Sequence, residues 1–272
     1  MLQDIEPHVY HNAMSFDPPA PDDIGLLCQA GGILARQEDG ALRLPPVRAC
    51  DSPAGWVYGF QIDGVRYYLP LGPAEAPGFL PVAARRYRSL GPRQTVFACA
   101  VGESLSRWYA GNRFCGGCGR PMLPSSRERA LVCTACGRTV YPKICPAVIV
   151  AVCDGDRLLL TKYAGGEFRR YALVAGFNEI GEAIEQTVAR EVLEETGLQV
   201  QNLRFYKSQP WVVTDSLLLG FFADLAGSDQ VTLQLDELSE AVWVPRDQIP
   251  ANHSMDSLTG EMMERFRAGK ER

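Results

Sequence analysis

The 272-residue chain has no apolar run that approaches the about 20 residues of a membrane span; the longest, Ala147–Cys153, is far shorter. It has no surplus of basic residues, with 27 Lys and Arg against 32 Asp and Glu and a net charge of −5. That excludes a nucleic-acid binder that works through overall positive charge. Its start carries Asp4 and Glu6, where a secretory leader would place basic and then apolar residues. No internal repeat or low-complexity tract is evident. Histidine is scarce, at 3, and His253 reads as a surface-loop residue rather than a catalyst. Hydrophobic residues make up 46% and charged residues 22%, ordinary globular values that exclude a mostly disordered chain. The length suits two domains with room for a small third unit.

Cysteine is not scarce. Nine are present, of which Cys115, Cys118, Cys133 and Cys136 form two C-x-x-C pairs fourteen residues apart. An odd total with clustered pairs argues against a disulfide framework and for a metal site in a reducing cytoplasm. Two-residue spacing lets each pair point both sulfurs at one ion, and four thiolates close the tetrahedral shell of a structural zinc. The alternatives are redox pairs or free thiols. Gly116, Gly117, Gly119 and Gly137 let the backbone turn around the pairs. The unit is locally basic: Arg113, Arg120, Arg127, Arg129, Arg138 and Lys143 face one acid, Glu128. It reads either as a solvated basic knuckle or as a nucleic-acid surface with Phe114 and Tyr141 as stacking rings.

Before the cysteines, Gly31–Ala35 and Gly59–Leu69 read as strands with tight turns. Residues 98–109 read as a helix with Val101, Leu105 and Trp108 on one face. No chemical constellation is visible in residues 1–110, which suit a scaffold or dimerisation domain. After the cysteines, Ala147–Val152 and Arg157–Thr161 flank Asp154-Gly155-Asp156 as strand, turn and strand. Ala172–Phe177 is a further apolar run. Strands are expected at Leu217–Asp224 and Ala241–Val244, and a helix at Gly260–Phe266.

The segment 176–198 reads GFNEIGEAIEQTVAREVLEETGL. A helix is expected from Glu182 to Thr196, closed by Gly197. At about 100° per residue, Ile184, Val188 and Val192 form the buried stripe. On the same wheel Glu191 and Glu195 fall within about 20° of Ile184, while Glu194 lies about 80° away. A solvated acidic helix would put its carboxylates opposite the stripe. Carboxylates beside it repel unless a cation lies between them, and oxygen ligands of this kind suit Mg²⁺ or Mn²⁺. The plainer reading is a Glu-rich surface helix. Gly176 is expected to permit a tight entry, and Arg190 to pair with an upstream acid.

The same segment resembles the Nudix box, G-x5-E-x7-R-E-U-x-E-E-x-G-U, with U aliphatic. Gly176, Glu182, Arg190, Glu191, Val192, Glu194, Glu195, Gly197 and Leu198 match its fixed positions. The resemblance covers about residues 111–272 and implies a Nudix α/β/α sandwich (145–272) preceded by a zinc ribbon (111–144); with an N-terminal mixed α/β domain (1–110), which fits it only in size and position, the chain reads as α+β. It implies metal-dependent hydrolysis of a nucleoside diphosphate linked to another moiety. A four-cysteine ribbon directly before such a domain is similar to the NADH pyrophosphatases. Those enzymes carry S-Q-P-W-P-F-P-x-S after the box. Here Ser208-Gln209-Pro210-Trp211 and Ser216 match, but Val212-Val213-Thr214 replaces Pro-Phe-Pro. Prolines stiffen a substrate loop, so the valines imply a more strand-like segment and a range open to other dinucleotides. The plainer reading is an edge strand anchored by Trp211.

The resemblance further implies Mg²⁺ or Mn²⁺ at Glu191, Glu194, Glu195, Glu237 and the Ala175 carbonyl, with Asp236 and Glu240 competing for the place of Glu237. Either Glu194 or Glu195 would act as general base. Glu182 and Arg190 would pair structurally. Glu128, Tyr141, Phe177, Gln209, Trp211, Ser216 and Thr259 would contact substrate, with Phe177 and Tyr141 holding the adenine and Tyr141 coming from the second subunit of a homodimer. A small residue, usually alanine, is typical where Thr259 stands. The implied reaction cleaves NADH or NAD⁺ to AMP and nicotinamide mononucleotide. Alternatives are ADP-ribose, diadenosine polyphosphates or NAD-capped RNA as substrate, or a ribbon-based nucleic-acid-binding regulator with an inactive Nudix fold.

Overall fold

A computed structural model describes residues 1–164, 170–250 and 257–271; His253 lies outside the described residues. The chain divides into two compact units, one of Leu2–Lys143 with Val212–Thr214, the other of Met1, Ile144–Trp211 and Asp215–Arg272.

The N-terminal unit holds strands β1 (Tyr10–His11), β2 (Ile24–Gly25), β3 (Cys28–Gln29), β4 (Gly32–Glu38), β5 (Ala41–Arg43), β6 (Trp56–Ile62), β7 (Val65–Pro70) and β8 (Leu80–Val82). Helices α1 (Ala84–Tyr87) and α2 (Arg93–Gly111) follow. One sheet runs β1-β6-β7-β2; in another, β4 lies between β3 and β5 and also pairs β8. The β6–β7 hairpin turns at Asp63-Gly64, both at positive φ (50° and 82°), the primed geometry that matches strand twist. A core of Leu26, Ile33, Phe60, Tyr87 and Ala98 lies between these elements. Helix α2 begins at Arg93, earlier than residue 98, because Pro92 sets its boundary and Val96 and Phe97 already bury on the core.

The ribbon, in the same unit, is a three-stranded sheet, β9 (Met122–Pro124), β10 (Leu131–Cys133) and β11 (Thr139–Val140), in the order β11-β10-β9. Trp108 of α2 packs with Cys115, Met122, Leu131 and Cys133.

The C-terminal unit contains β12 (Cys145–Asp154), β13 (Arg157–Tyr163), β14 (Val174–Phe177), α3 (Ile184–Thr196), β15 (Gln199–Trp211), β16 (Ser216–Ala226), β17 (Leu238–Pro245) and α4 (Leu258–Arg267). The sheet runs β15-β16-β12-β13-β17, with β14 also paired to β12. Strand β12 explains the continuous apolar run. Val148, Val150 and Val152 pack with Val188 and Val192 of α3. Ile149, Ala151 and Cys153 pack with Leu258, Met262 and Phe266 of α4. A strand covered on both faces has no polar side to alternate with. The result is the α/β/α sandwich.

Two local expectations change. Helix α3 starts at Ile184, so Glu182 lies in the preceding loop. Residues 212–215 are not strand-like: Trp211 pairs with Ser216, and the four residues between them turn the β15–β16 hairpin, with Asp215 at φ 56°. Strand β15 itself is a sheet edge.

Candidate active site

Strand β14 runs antiparallel to β12, with Ala175 opposite Ile149 and Gly176 opposite Val148. Gly176 therefore lies within a strand rather than at a tight entry. Its role is space: a Cβ there would fall 1.9 Å from the Glu191 carboxyl carbon. The missing side chain is the cradle for that carboxylate.

Helix α3 supplies the acids. Glu191 and Glu195 are buried, whereas the Glu194 side chain is half exposed, as the helical phase requires. Arg190 ties the site together. It donates to both oxygens of Glu182 (2.8 and 2.9 Å), to Glu191 (2.8 Å), to Glu194 (2.9 Å) and to the Phe177 carbonyl (2.9 Å). Glu182 also accepts from the Thr187 hydroxyl (2.8 Å). Asn178 donates to Thr187 Oγ1 (2.7 Å) and to the Glu182 carbonyl (3.1 Å), bracing the loop against the helix. Sequence reasoning passed over Asn178 and Thr187. The available signal was Thr187 one helical turn before Glu191, beside the apolar stripe.

The electrostatics divide these acids. Arg190 chiefly holds the Glu182 carboxyl down at about 2. Burial pushes Glu195 up to about 8, with the charges of Glu191 and Glu237 adding to it and the Ala175 N–H opposing. Burial also raises Glu191, against the pull of Arg190. The Glu195 Oε2 atom is buried with no hydrogen-bond partner. A buried acceptor left unpaired costs free energy, and a divalent cation is a partner that suits an anionic oxygen. The donor set thus fits a divalent cation, although Arg190 draws Glu191 and Glu194 toward itself.

Glu237 lies in the turn before β17. The Gln234 and Thr232 N–H groups donate to the Glu195 and Thr196 carbonyls (3.1 and 2.8 Å), fastening this segment to the end of α3. Of its competitors, Glu240 is engaged by Lys162 (2.6 Å) and Tyr171 (2.8 Å). Glu237, not Asp236, is among the charges that raise Glu191 and Glu195.

The remaining candidates are more dispersed. Ala175 is in β14, and Phe177 ends that strand exposed. Gln209 is fully buried and accepts from the Leu258 N–H (2.8 Å), capping α4. Ser216 is buried at the start of β16, Trp211 is half-buried at the end of β15, and Thr259 is half-buried in the first turn of α4. In the ribbon, Tyr141 is exposed and donates to Glu128 (3.0 Å).

The four cysteine sulfurs lie within 4.8 Å of one another. Closest separations are 3.5 and 3.6 Å, near the about 3.8 Å edge of a tetrahedron with 2.3 Å zinc–sulfur bonds. The two knuckles repeat one geometry. The Gly119 and Gly137 N–H groups donate to the Cys115 and Cys133 carbonyls, and both glycines take positive φ (72° and 75°). Backbone N–H groups lower the Cys115 and Cys133 thiols, while the neighbouring sulfurs raise Cys118, so these thiols titrate as one set. The set fits structural zinc.

A sandwich with a box-bearing helix beside a bare-glycine strand defines a Nudix hydrolase domain, and residues 143–266 match the NUDIX domain model. Residues 111–141 match the NADH pyrophosphatase zinc ribbon domain. The chain is 38% identical over 206 residues to the NAD-capped RNA hydrolase NudC of Citrobacter koseri, covering 73% of this chain and 79% of that protein. It is 42% identical to the protein of the same name from Salmonella heidelberg, with the same coverage. A Nudix hydrolase structure from Nitrosomonas europaea aligns at TM-score 0.49 and 24% identity, over 58% of this chain and 94% of that one. The chain belongs to the Nudix hydrolase family, in the group that carries the NADH pyrophosphatase zinc ribbon.

Proposed function

We propose that this enzyme hydrolyses the pyrophosphate bond of NADH or NAD⁺, releasing AMP and nicotinamide mononucleotide. The observation that carries the reading is the buried Glu195, its one oxygen without a partner, next to Glu191 in the cradle of Gly176. Glu191, Glu195, Glu237 and the Ala175 carbonyl are the groups that would hold Mg²⁺ or Mn²⁺. When bound, the cation neutralises phosphate oxygens and lowers the pKa of the attacking water. Glu194, half exposed on the same helix, is the group left to take a proton from that water. Arg190 fixes the helix acids and the Phe177 carbonyl in one frame. The exposed Phe177 ring offers a stacking face to adenine, and Glu128 and Tyr141 form a second contact pair, with Tyr141 acting across a homodimer. Gln209 supports the substrate segment by capping α4; Trp211, Ser216 and Thr259 complete that segment. The setting is a reducing cytoplasm.

NAD-capped RNA is the second reading, favoured by the printed name of the relatives and by the exposed Arg113, Arg120, Arg127 and Arg138 of the ribbon. The test is kcat/KM on NADH, ADP-ribose and NAD-capped RNA with Mg²⁺ or Mn²⁺, before and after chelation. The expected result is turnover of NADH that stops with EDTA and returns with added cation. Unchanged turnover in EDTA would overturn the mechanism.

A further inference from the structure

Adjacent residues at the tip of the β9–β10 hairpin face opposite ways. Glu128 accepts from Tyr141, whereas Arg129 is half-buried and turned to the N-terminal sheet. The Arg129 guanidinium donates from Nη2 to the carbonyls of Gly59 (2.6 Å) and Asn12 (3.2 Å). It makes no ion pair among the described residues, and its Nη1 is buried without a partner. A half-buried guanidinium held by carbonyls alone is unusual in a surface hairpin, and the sheet is shaped to receive it. The β6–β7 ladder slips between Tyr58 and Phe60, which takes Gly59 out of register as a bulge. A Cβ on Gly59 would lie 2.9 Å from Leu69 Cδ1 and 3.0 Å from the Tyr67 carbonyl oxygen, so any larger residue would crowd the bulge. Tyr10, Tyr58 and Tyr109 all feel the Arg129 charge, which opposes the effect of their burial.

The hairpin tip closes tightly around this anchor. The Ala130 N–H donates to the Glu128 carbonyl (2.8 Å) and the Ser125 N–H to the Ala130 carbonyl (2.9 Å). Leu131 pairs with Val140, the residue before Tyr141. The placement of both members of the Glu128–Tyr141 pair therefore follows from where the hairpin sits.

We infer that Arg129 is a positioning residue for substrate binding: seated in the Gly59 bulge, it fixes the hairpin so that Glu128 and Tyr141 are preformed as a contact pair. The inference rests on the reading of that pair as substrate contacts. It gives the N-terminal sheet a role in affinity that residues 1–110 do not disclose by themselves.

The test is a kinetic cycle on the zinc-loaded full chain with NADH, using R129Q, R129K, Y141F, E128Q and the R129Q/Y141F double variant. R129Q is expected to raise KM about fivefold while kcat stays within about twofold, the signature of lost ground-state and transition-state binding in common. Zinc content should remain that of the parent. R129K, which keeps the charge without the fork, should recover part of the KM and serves as the folded comparison if R129Q melts. The double variant should be little worse than Y141F, because coupled residues do not add. If Y141F raises KM and R129Q does not, or if the two effects simply add, the positioning role is refuted while the contact reading survives. If neither Y141F nor E128Q alters KM, the contact reading falls and takes the positioning role with it.

Discussion

Glu195 is held near 8 because burial disfavours its charge and Glu191 and Glu237 oppose it. In the metal-free native protein the carboxyl keeps its proton over a range where the unfolded chain has already lost it. Its contribution to stability is thus fully present below the ordinary carboxylate value and is lost as pH rises through about 8. We expect the Tm of the metal-free protein to fall between pH about 5 and 8, with Glu195→Gln flattening that slope in thermal melts. The same variant should lose about 100- to 1,000-fold in kcat while remaining folded. Glu182 has the opposite sign. Its value of about 2 means that its pairing with Arg190 stabilises the fold above the ordinary carboxylate range and is lost on acidification. Arg190→Ala should therefore lower Tm at neutral pH much more than at pH 3, as calorimetry would read. The division among the glutamates was legible in the sequence, since helical phase alone separates Glu191 and Glu195 from Glu194. Arg129 was not legible. It stood among the other basic ribbon residues, and nothing in its neighbours marks that its carbonyl partners, Gly59 and Asn12, lie far back in the chain.

Strand β14 and helix α3 meet through an absent side chain. Gly176→Ala would force the Glu191 carboxylate out of its place. We expect a fall in kcat of more than about tenfold with near-normal circular dichroism. Gly197→Ala is the contrasting case. That residue ends α3 at φ 72°, and the cost of a Cβ in the left-handed region is about 1–2 kcal/mol, seen as a lower Tm with catalysis retained. The β12–β13 hairpin, α3 and its glycine stop were readable because each is a local pattern closed by turn residues. Strand β15 was harder. Gln199–Lys207 is mostly polar and irregular, and it pairs with β16 through two register shifts, so it owes its conformation to its neighbour rather than to alternation. Gly176 could be assigned to the box from sequence, but its physical reason could not, since the contact spans two elements.

For the whole molecule, two kinds of metal should come away separately. Mild chelation of the carboxylate cation should stop turnover and leave the fold intact. Stripping zinc should instead collapse the ribbon, whose small core of Cys115, Met122, Leu131 and Cys133 shares Trp108 with α2. Zinc sites of this kind contribute folding free energy directly. We expect a red shift in tryptophan emission on zinc removal, diminished in Trp108→Phe, with metal content followed by elemental analysis.

Strand β12 makes nine parallel pairings with β16, from Cys145 to Cys153, and further antiparallel ones with β13 and β14, beneath helices on both faces. Amides so enclosed open only when a whole cooperative block gives way. In deuterated buffer, the peptide spanning Val148–Val152 should therefore be the slowest of the chain to gain mass. The floor on which the carboxylates rest would keep its original hydrogens long after the cysteine knuckles had traded theirs.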